Sequence, residues 1–180
     1  MMASIQKKNI GLLGGSFDPA HKGHLAISQI AIKKFKFKKL YWVITKKNPF
    51  KNETFYSLEE RIKYAKKISK IQKKIEVMYL ENIIKSSRTI NLVNYFVKKK
   101  NIKNIHLIIG SDNLIRFHKW KSWKKIVKLV KLIVFSRKGY DRKGMKSIVV
   151  KNLKNNIIFI KNKHITISST QLKSQRRLNN

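Results

Sequence analysis

The run Gly14-Gly15-Ser16-Phe17-Asp18-Pro19-Ala20-His21-Lys22-Gly23-His24 separates a short apolar segment from an amphipathic one. Residues 8–13 read as a buried strand. Residues 24–35 read as a helix with an apolar stripe of Leu25, Ile27, Ile30, Ala31 and Phe35. Strand, glycine pair and helix together bring backbone N–H groups and a helix N-terminus to one end of a sheet. Glycine has no Cβ, so the N–H groups of Gly14 and Gly15 can approach a phosphate closely. Asp18 is expected to cap the helix, with Pro19 in its first turn, where no N–H is needed. The positive end of that helix then faces the ligand. His21 and His24 share a helix face and can donate to the oxygens of a triphosphate, with Gly23 leaving room between them. The P-loop pattern and the Gly-x-Gly-x-x-Gly fingerprint are both absent. A zinc pair is disfavoured, because the chain has no Cys and no third ligand stands nearby.

Outward from this run, apolar and amphipathic segments alternate. Further strands are expected at residues 40–45, 74–80, 105–109, 132–135 and 157–160. Ser57 and Glu60 make a capping-box pattern opening a helix to about residue 69. Other helices are expected at about 89–99, 112–117, 122–129 and 145–153, with a last one capped by Ser168 or Ser169 and running toward Arg177. Residues 46–56 and 81–88 read as loops. The alternation predicts an α/β fold: a Rossmann-like doubly wound parallel sheet of five to six strands with helices on both faces. Ligands of such sheets bind at the carboxyl ends of the strands, near the switch in strand order. The linkers are short and no repeat is visible, so residues 1–180 are expected to form a single domain.

Composition narrows the class. Hydrophobic residues make up 42% of the chain and aromatics 10%, which argues against disorder. No apolar run approaches the ~20 residues of a membrane span. The apolar stretch after Lys7 and Lys8 is too short for a signal peptide. With no Cys, a cytoplasmic protein without disulfides is expected. Lys and Arg number 43 against 8 Asp and Glu, a net charge of +35. Such a charge suggests nucleic acid. The lysines, however, are dispersed in pairs and triples, such as Lys33-Lys34 and Lys98-Lys99-Lys100, on what read as solvated helix faces. Abundant Lys, Ile and Asn suggest an A/T-rich coding background. No specific nucleic acid and no membrane partner is expected, and a homo-oligomer is left open.

The run from Gly14 to His24 resembles the nucleotidyltransferase superfamily with the (H/T)xGH motif. Ile109-Gly110-Ser111-Asp112-Asn113-Leu114, with Phe117 and Trp120, is similar to a glycine-x-aspartate segment and its tryptophan. Val134-Phe135-Ser136-Arg137-Lys138-Gly139-Tyr140 is similar to a strand ending in Arg-x-Gly. Ile167-Ser168-Ser169-Thr170-Gln171-Leu172-Lys173 is similar to a closing Ile-Ser-Ser-Thr-x-Ile-Arg signature. Together these resemble the bacterial nicotinate-nucleotide adenylyltransferase family.

The resemblance implies transfer of the AMP moiety of ATP to nicotinate mononucleotide, giving deamido-NAD and pyrophosphate in NAD biosynthesis. It implies Mg2+ as the cofactor, held mostly through phosphates and water. His21 and His24 would be the catalytic residues. Gly14, Gly15, Ser16, Phe17, Ser168, Ser169, Thr170 and Lys173 would join them in binding ATP. Lys173 would stand for the family's arginine, keeping the charge without the planar fork. Thr89, Asp112, Trp120 and Arg137 would bind the mononucleotide: Asp112 at ribose hydroxyls, Trp120 on the nicotinate ring, the backbone near Thr89 at its carboxylate. Lys47 and Lys51 are further candidates for phosphate. Two residues keep a second reading: Trp120 recurs with Trp123 and Ile126 at core spacing, and Thr89 can cap its helix. Arg88 stands where the family usually has Tyr, and Asn91-Leu92-Val93 follows where it has an acidic or polar residue and Thr-Leu. Alternatives are another phosphate acceptor, nicotinamide mononucleotide or phosphopantetheine, or a basic nucleic-acid-binding module on the same fold.

Overall fold

The computed structural model describes residues 9–46, 54–153 and 156–162. Its strands are β1 (Asn9–Gly15), β2 (Lys39–Ile44), β3 (Ile75–Met78), β4 (Asn104–Gly110), β5 (Lys131–Phe135) and β6 (Ile157–Ile160). All pairings are parallel, in the order β3-β2-β1-β4-β5-β6. This is the doubly wound α/β architecture expected from the sequence. The chain steps outward from β1 to β3, returns to the other flank of β1 with β4, and steps outward again. The switch in strand order therefore lies between β1 and β4.

The pleat sorts the core. Ile10 and Leu12 of β1, Val43 of β2, Leu107 and Ile109 of β4 and Leu132 and Val134 of β5 face one apolar cluster. It is completed by α4 (Thr89–Asn94), α5 (Ser111–Arg116), α6 (Trp123–Leu129) and α8 (Ile148–Asn152). The intervening residues, among them Leu13, Trp42, Ile44, Ile108, Ile133 and Phe135, face a second cluster beneath α1 (Lys22–Phe35) and α2 (Leu58–Ser69). Burial on both faces explains why β4 and β5 read as continuous apolar runs without alternation.

Most elements lie where periodicity puts them, and the Ser57/Glu60 capping box opens α2 as expected. Three helices differ. Residues 81–88, read as a loop, contain α3 (Glu81–Ile84). The helix expected at 89–99 is α-helical only through Asn94 and continues as a π turn, Tyr95–Lys99. The helix expected at 145–153 starts later, as α8 at Ile148, because Ser147 has extended backbone at φ −66° and ψ 156°, and residues just before it form α7 (Asp141–Met145), which the pattern did not predict. The closing helix expected from Ser168 lies outside the described residues.

His106 of β4 is packed, with rings of Phe35 and Phe37 at 5.5 and 5.1 Å. Burial lowers its pKa, and Lys131, its register neighbour on β5, lowers it further; a backbone hydrogen bond with Ile10 opposes both. The folded state thus resists a proton that the unfolded chain accepts at about pH 6.5. Stability falls as pH drops through that value and levels off below the folded pKa. His106→Gln should flatten this part of the curve in urea unfolding between pH 7 and 5; an unchanged slope refutes the assignment.

Candidate active site

The two strands at the switch separate at their carboxyl ends. Pairing of β1 with β4 ends at Leu13↔Ile108, whereas β1 continues with β2 to Gly15↔Ile44 and β4 continues with β5 to Gly110↔Phe135. Gly14 and Gly15 therefore belong to β1 and line the opening crevice. A Cβ on Gly14 would meet nothing within 4 Å, and one on Gly15 only Phe17 at 3.7 Å. Packing within the chain does not demand these glycines; the bare backbone they leave can approach a ligand.

The histidines cap α1. His21 is its N-cap: its Nδ1 accepts from the Gly23 N–H at 3.1 Å, and His24 Nδ1 accepts from the His21 N–H at 3.3 Å. An accepting Nδ1 carries no proton, so each neutral ring holds its hydrogen on Nε2. The ring centroids are 3.9 Å apart. This arrangement corrects the expectation for Asp18 and Pro19. Pro19 precedes the helix, joined to Asp18 by a cis peptide. The buried Asp18 carboxylate instead accepts the N–H groups of Phe55 and Tyr56, both at 2.9 Å. Phe17, at φ +45°, tucks its ring between His24 and Trp42, at 4.7 and 5.1 Å. Trp42 Nε1 donates to Ser28 Oγ at 2.8 Å, and that hydroxyl donates to the His24 carbonyl at 2.7 Å, which ties the first turns of α1 to the sheet.

Arg61 of α2 fixes the loop from the other side. It is 1% exposed and donates to the carbonyls of Ser16 (2.8 Å), Thr45 (2.7 Å), Lys46 (3.0 Å) and Tyr56 (3.2 Å). Burial lowers its pKa, and the nearby Asp18 carboxylate opposes that shift. The sequence carries one signal of this role, an arginine at a position of α2 that faces the core.

Across the crevice, Asp112 and Arg137 form an ion pair, Nη1 to Oδ2 at 2.6 Å, with Arg137 half exposed. A Cβ at residue 110 would collide with Asp112 Oδ1, so the glycine two residues before the aspartate lets that carboxylate fold back toward Arg137. Trp120 follows the 3-10 turn Phe117–Lys119. It is partly buried, packed on Phe117 with centroids 4.7 Å apart, so its core reading holds for part of the ring. Thr89 is the first residue of α4, whose N-cap is Arg88, and no side chain caps that helix; the capping reading of Thr89 is thereby corrected. Lys47, Lys51, Ser168, Ser169, Thr170 and Lys173 lie outside the described residues.

Among the described residues no cluster of His, Asp or Glu could hold a metal ion. The chain has only three aspartates, and each accepts hydrogen bonds from protein donors: Asp18 and Asp112 as above, Asp141 from Ser111, Ser136 and Arg137. This donor set fits a divalent ion carried by the phosphates of a nucleotide and by water, not one caged by the protein.

The cytidylyltransferase-like family model matches residues 12–175. A probable nicotinate-nucleotide adenylyltransferase of Pelagibacter ubique is 48% identical over 93% of both chains. The chain belongs to the nicotinate-nucleotide adenylyltransferase family. An Aliarcobacter butzleri member is 32% identical over 92% of this chain and 86% of its own. In fold, the chain is similar to Plasmodium falciparum nicotinic acid mononucleotide adenylyltransferase complexed with NaAD, with TM-score 0.74 and 20% identity over 93% of this chain and 83% of that one. No helix among the described residues is long and apolar enough to cross a membrane.

Relative to the family's motifs, sequence reading missed Arg61, the Trp42–Ser28 link and Asp141. Arg61→Met leaves four carbonyls without their donor. It should lower stability by roughly 3 kcal/mol, on the scale of about 1–3 kcal/mol for each buried group left unpaired. A urea midpoint within error of the parent protein would refute the clamp.

Proposed function

We propose that the protein transfers the adenylyl group of ATP to nicotinate mononucleotide, releasing deamido-NAD and pyrophosphate. A phosphate oxygen of the mononucleotide attacks the α-phosphorus in line, and the bond from that phosphorus to the bridging oxygen of pyrophosphate breaks. The nucleophile is already an anion, so the chain need supply no general base. Catalysis then reduces to positioning and stabilisation of charge.

The observation that carries this reading is the paired histidine cap at the switch point. It presents two Nε2–H donors and the N-terminus of a 14-residue helix beside the bare backbone of Gly14 and Gly15. Such donors suit the α-phosphate and the departing pyrophosphate. Asp112 and Arg137 pair just after β4 and β5, and with Trp120 and Thr89 they are proposed to meet ribose, ring and carboxylate of the acceptor. Ser168, Ser169, Thr170 and Lys173 complete the ATP side of the proposal. Mg2+, held through the triphosphate and water, would neutralise charge on the phosphates. We propose the cytoplasm as the compartment of the reaction, in keeping with a chain that has no Cys.

Pyrophosphate release with ATP and Mg2+ should occur with nicotinate mononucleotide and be weaker with nicotinamide mononucleotide or phosphopantetheine. Turnover with phosphopantetheine alone overturns the acceptor. His24→Ala should lower kcat by about 10²–10³-fold with the circular dichroism spectrum unchanged. Near-normal turnover removes His24 from the mechanism. With a net charge of +35, raising salt should lower kcat/KM for the anionic substrates more than kcat; a salt-independent kcat/KM contradicts steering.

A further inference from the structure

We propose that Asp141 is a positioning residue for the acceptor side of this site, acting through Ser111 and the backbone of Arg137. The inference rests on the adenylyl-transfer reading for the identity of the acceptor. Asp141 opens α7, beyond the turn that follows β5. Its Oδ1 accepts from Ser111 Oγ at 2.6 Å and from the Arg137 N–H at 2.8 Å, and its Oδ2 accepts from Ser136 Oγ. The Arg137 N–H is shared with Ser111 Oγ at 3.1 Å. One carboxylate thus ties the segment leaving β4 to the segment leaving β5.

The side chains close the ring. Ser111 is fully buried and precedes Asp112, whose carboxylate takes the Arg137 guanidinium at 2.6 Å. Around the ring run Asp141, Ser111, Asp112, Arg137 and back to Asp141. A half-exposed arginine on a loop loses rotamer freedom when it binds a ligand. Here its backbone is fixed by Asp141 and its head by Asp112, so that cost is met in folding. Bonds to an ionised acceptor are stronger than neutral ones, which is why a carboxylate suits the centre of the ring. Gly144, three residues on, packs against Ser111: a Cβ there would lie 3.2 Å from the Ser111 carbonyl, so α7 is seated closely on the start of α5.

The test compares Asp141→Ala and Asp141→Asn in the full chain. An Asn side chain keeps an accepting oxygen for Ser111 and Arg137, and its amide can donate to a rotated Ser136 hydroxyl. Asp141→Ala should raise the KM for nicotinate mononucleotide about tenfold while KM for ATP and kcat stay within about twofold. Asp141→Asn should recover most of the loss. An unchanged acceptor KM, an equal rise in both KM values, or an Asn variant as impaired as Ala overturns the proposal. Amide hydrogen exchange supplies a readout independent of turnover. Asp141→Ala should lose protection at Arg137, with amides inside β4 and β5 unchanged; loss spreading through those strands makes the role merely structural and overturns it. If the parent protein turns over no nicotinate mononucleotide, the acceptor assignment falls, and the exchange result alone decides the ring.

Discussion

A buried guanidinium and a buried carboxylate hold the phosphate-facing loop, and Arg61 and Asp18 meet through the backbone of Tyr56. Arg61 gathers the carbonyls of Ser16, Thr45, Lys46 and Tyr56, while Asp18 takes the N–H groups of Phe55 and Tyr56. Positive charge collects acceptors and negative charge collects donors, so the peptide dipoles of three separate segments are locked in one arrangement. Either charge left alone in the interior would be costly. Held together by backbone groups, they fix the end of β1 and the start of α2 against the carbonyls of Thr45 and Lys46. The glycine-rich turn can then be both bare and rigid. Phe17 keeps its positive φ because its ring is trapped against Trp42 and its carbonyl neighbour Ser16 is held by Arg61.

Rigid placement matters because the proposed chemistry asks for donors in fixed positions and for little else. A histidine used as a base needs an accepting nitrogen facing the substrate. Here the accepting nitrogens of His21 and His24 are both taken by backbone N–H groups of the helix they cap. The fold thereby selects the tautomer that donates at Nε2. The same two residues satisfy orphan N–H groups at the start of α1 and present hydrogens to an anion, so helix capping and substrate binding are one structural act.

Sequence pattern captured the parts of the fold governed by local periodicity. The six strands, their parallel pairing and the Ser57/Glu60 cap follow from side-chain spacing and βαβ alternation. It failed where a contact distant in sequence decides. Asp18 before a helix reads as a cap, yet its partners lie at Phe55 and Tyr56, across β2 and the loop after it. The histidines perform the capping because imidazole reaches back as far as the usual Ser or Asp does. Arg61 looked like one basic residue among 43. The break between α7 and α8 is set by extended backbone at Ser147, at a place where apolar spacing alone runs on. Motif resemblance brought forward Asp112 and Arg137, but not what the glycine at 110 does, which is to leave the Asp112 carboxylate the space it takes beside Arg137.

The charge of the chain can now be divided by function. Among the described residues most lysines lie exposed on helices and turns, where substitution among solvated residues changes little. The aspartates behave oppositely. All three aspartates sit at the carboxyl edge of the sheet, and each one organises backbone or an arginine at the crevice. In a chain of net charge +35, each aspartate stands where its oxygens accept bonds that a lysine cannot accept. Scarcity therefore locates the site more sharply than abundance does. The three aspartates mark where loops are held at the carboxyl edge, and the many cations give a diffuse positive field that favours anionic ligands.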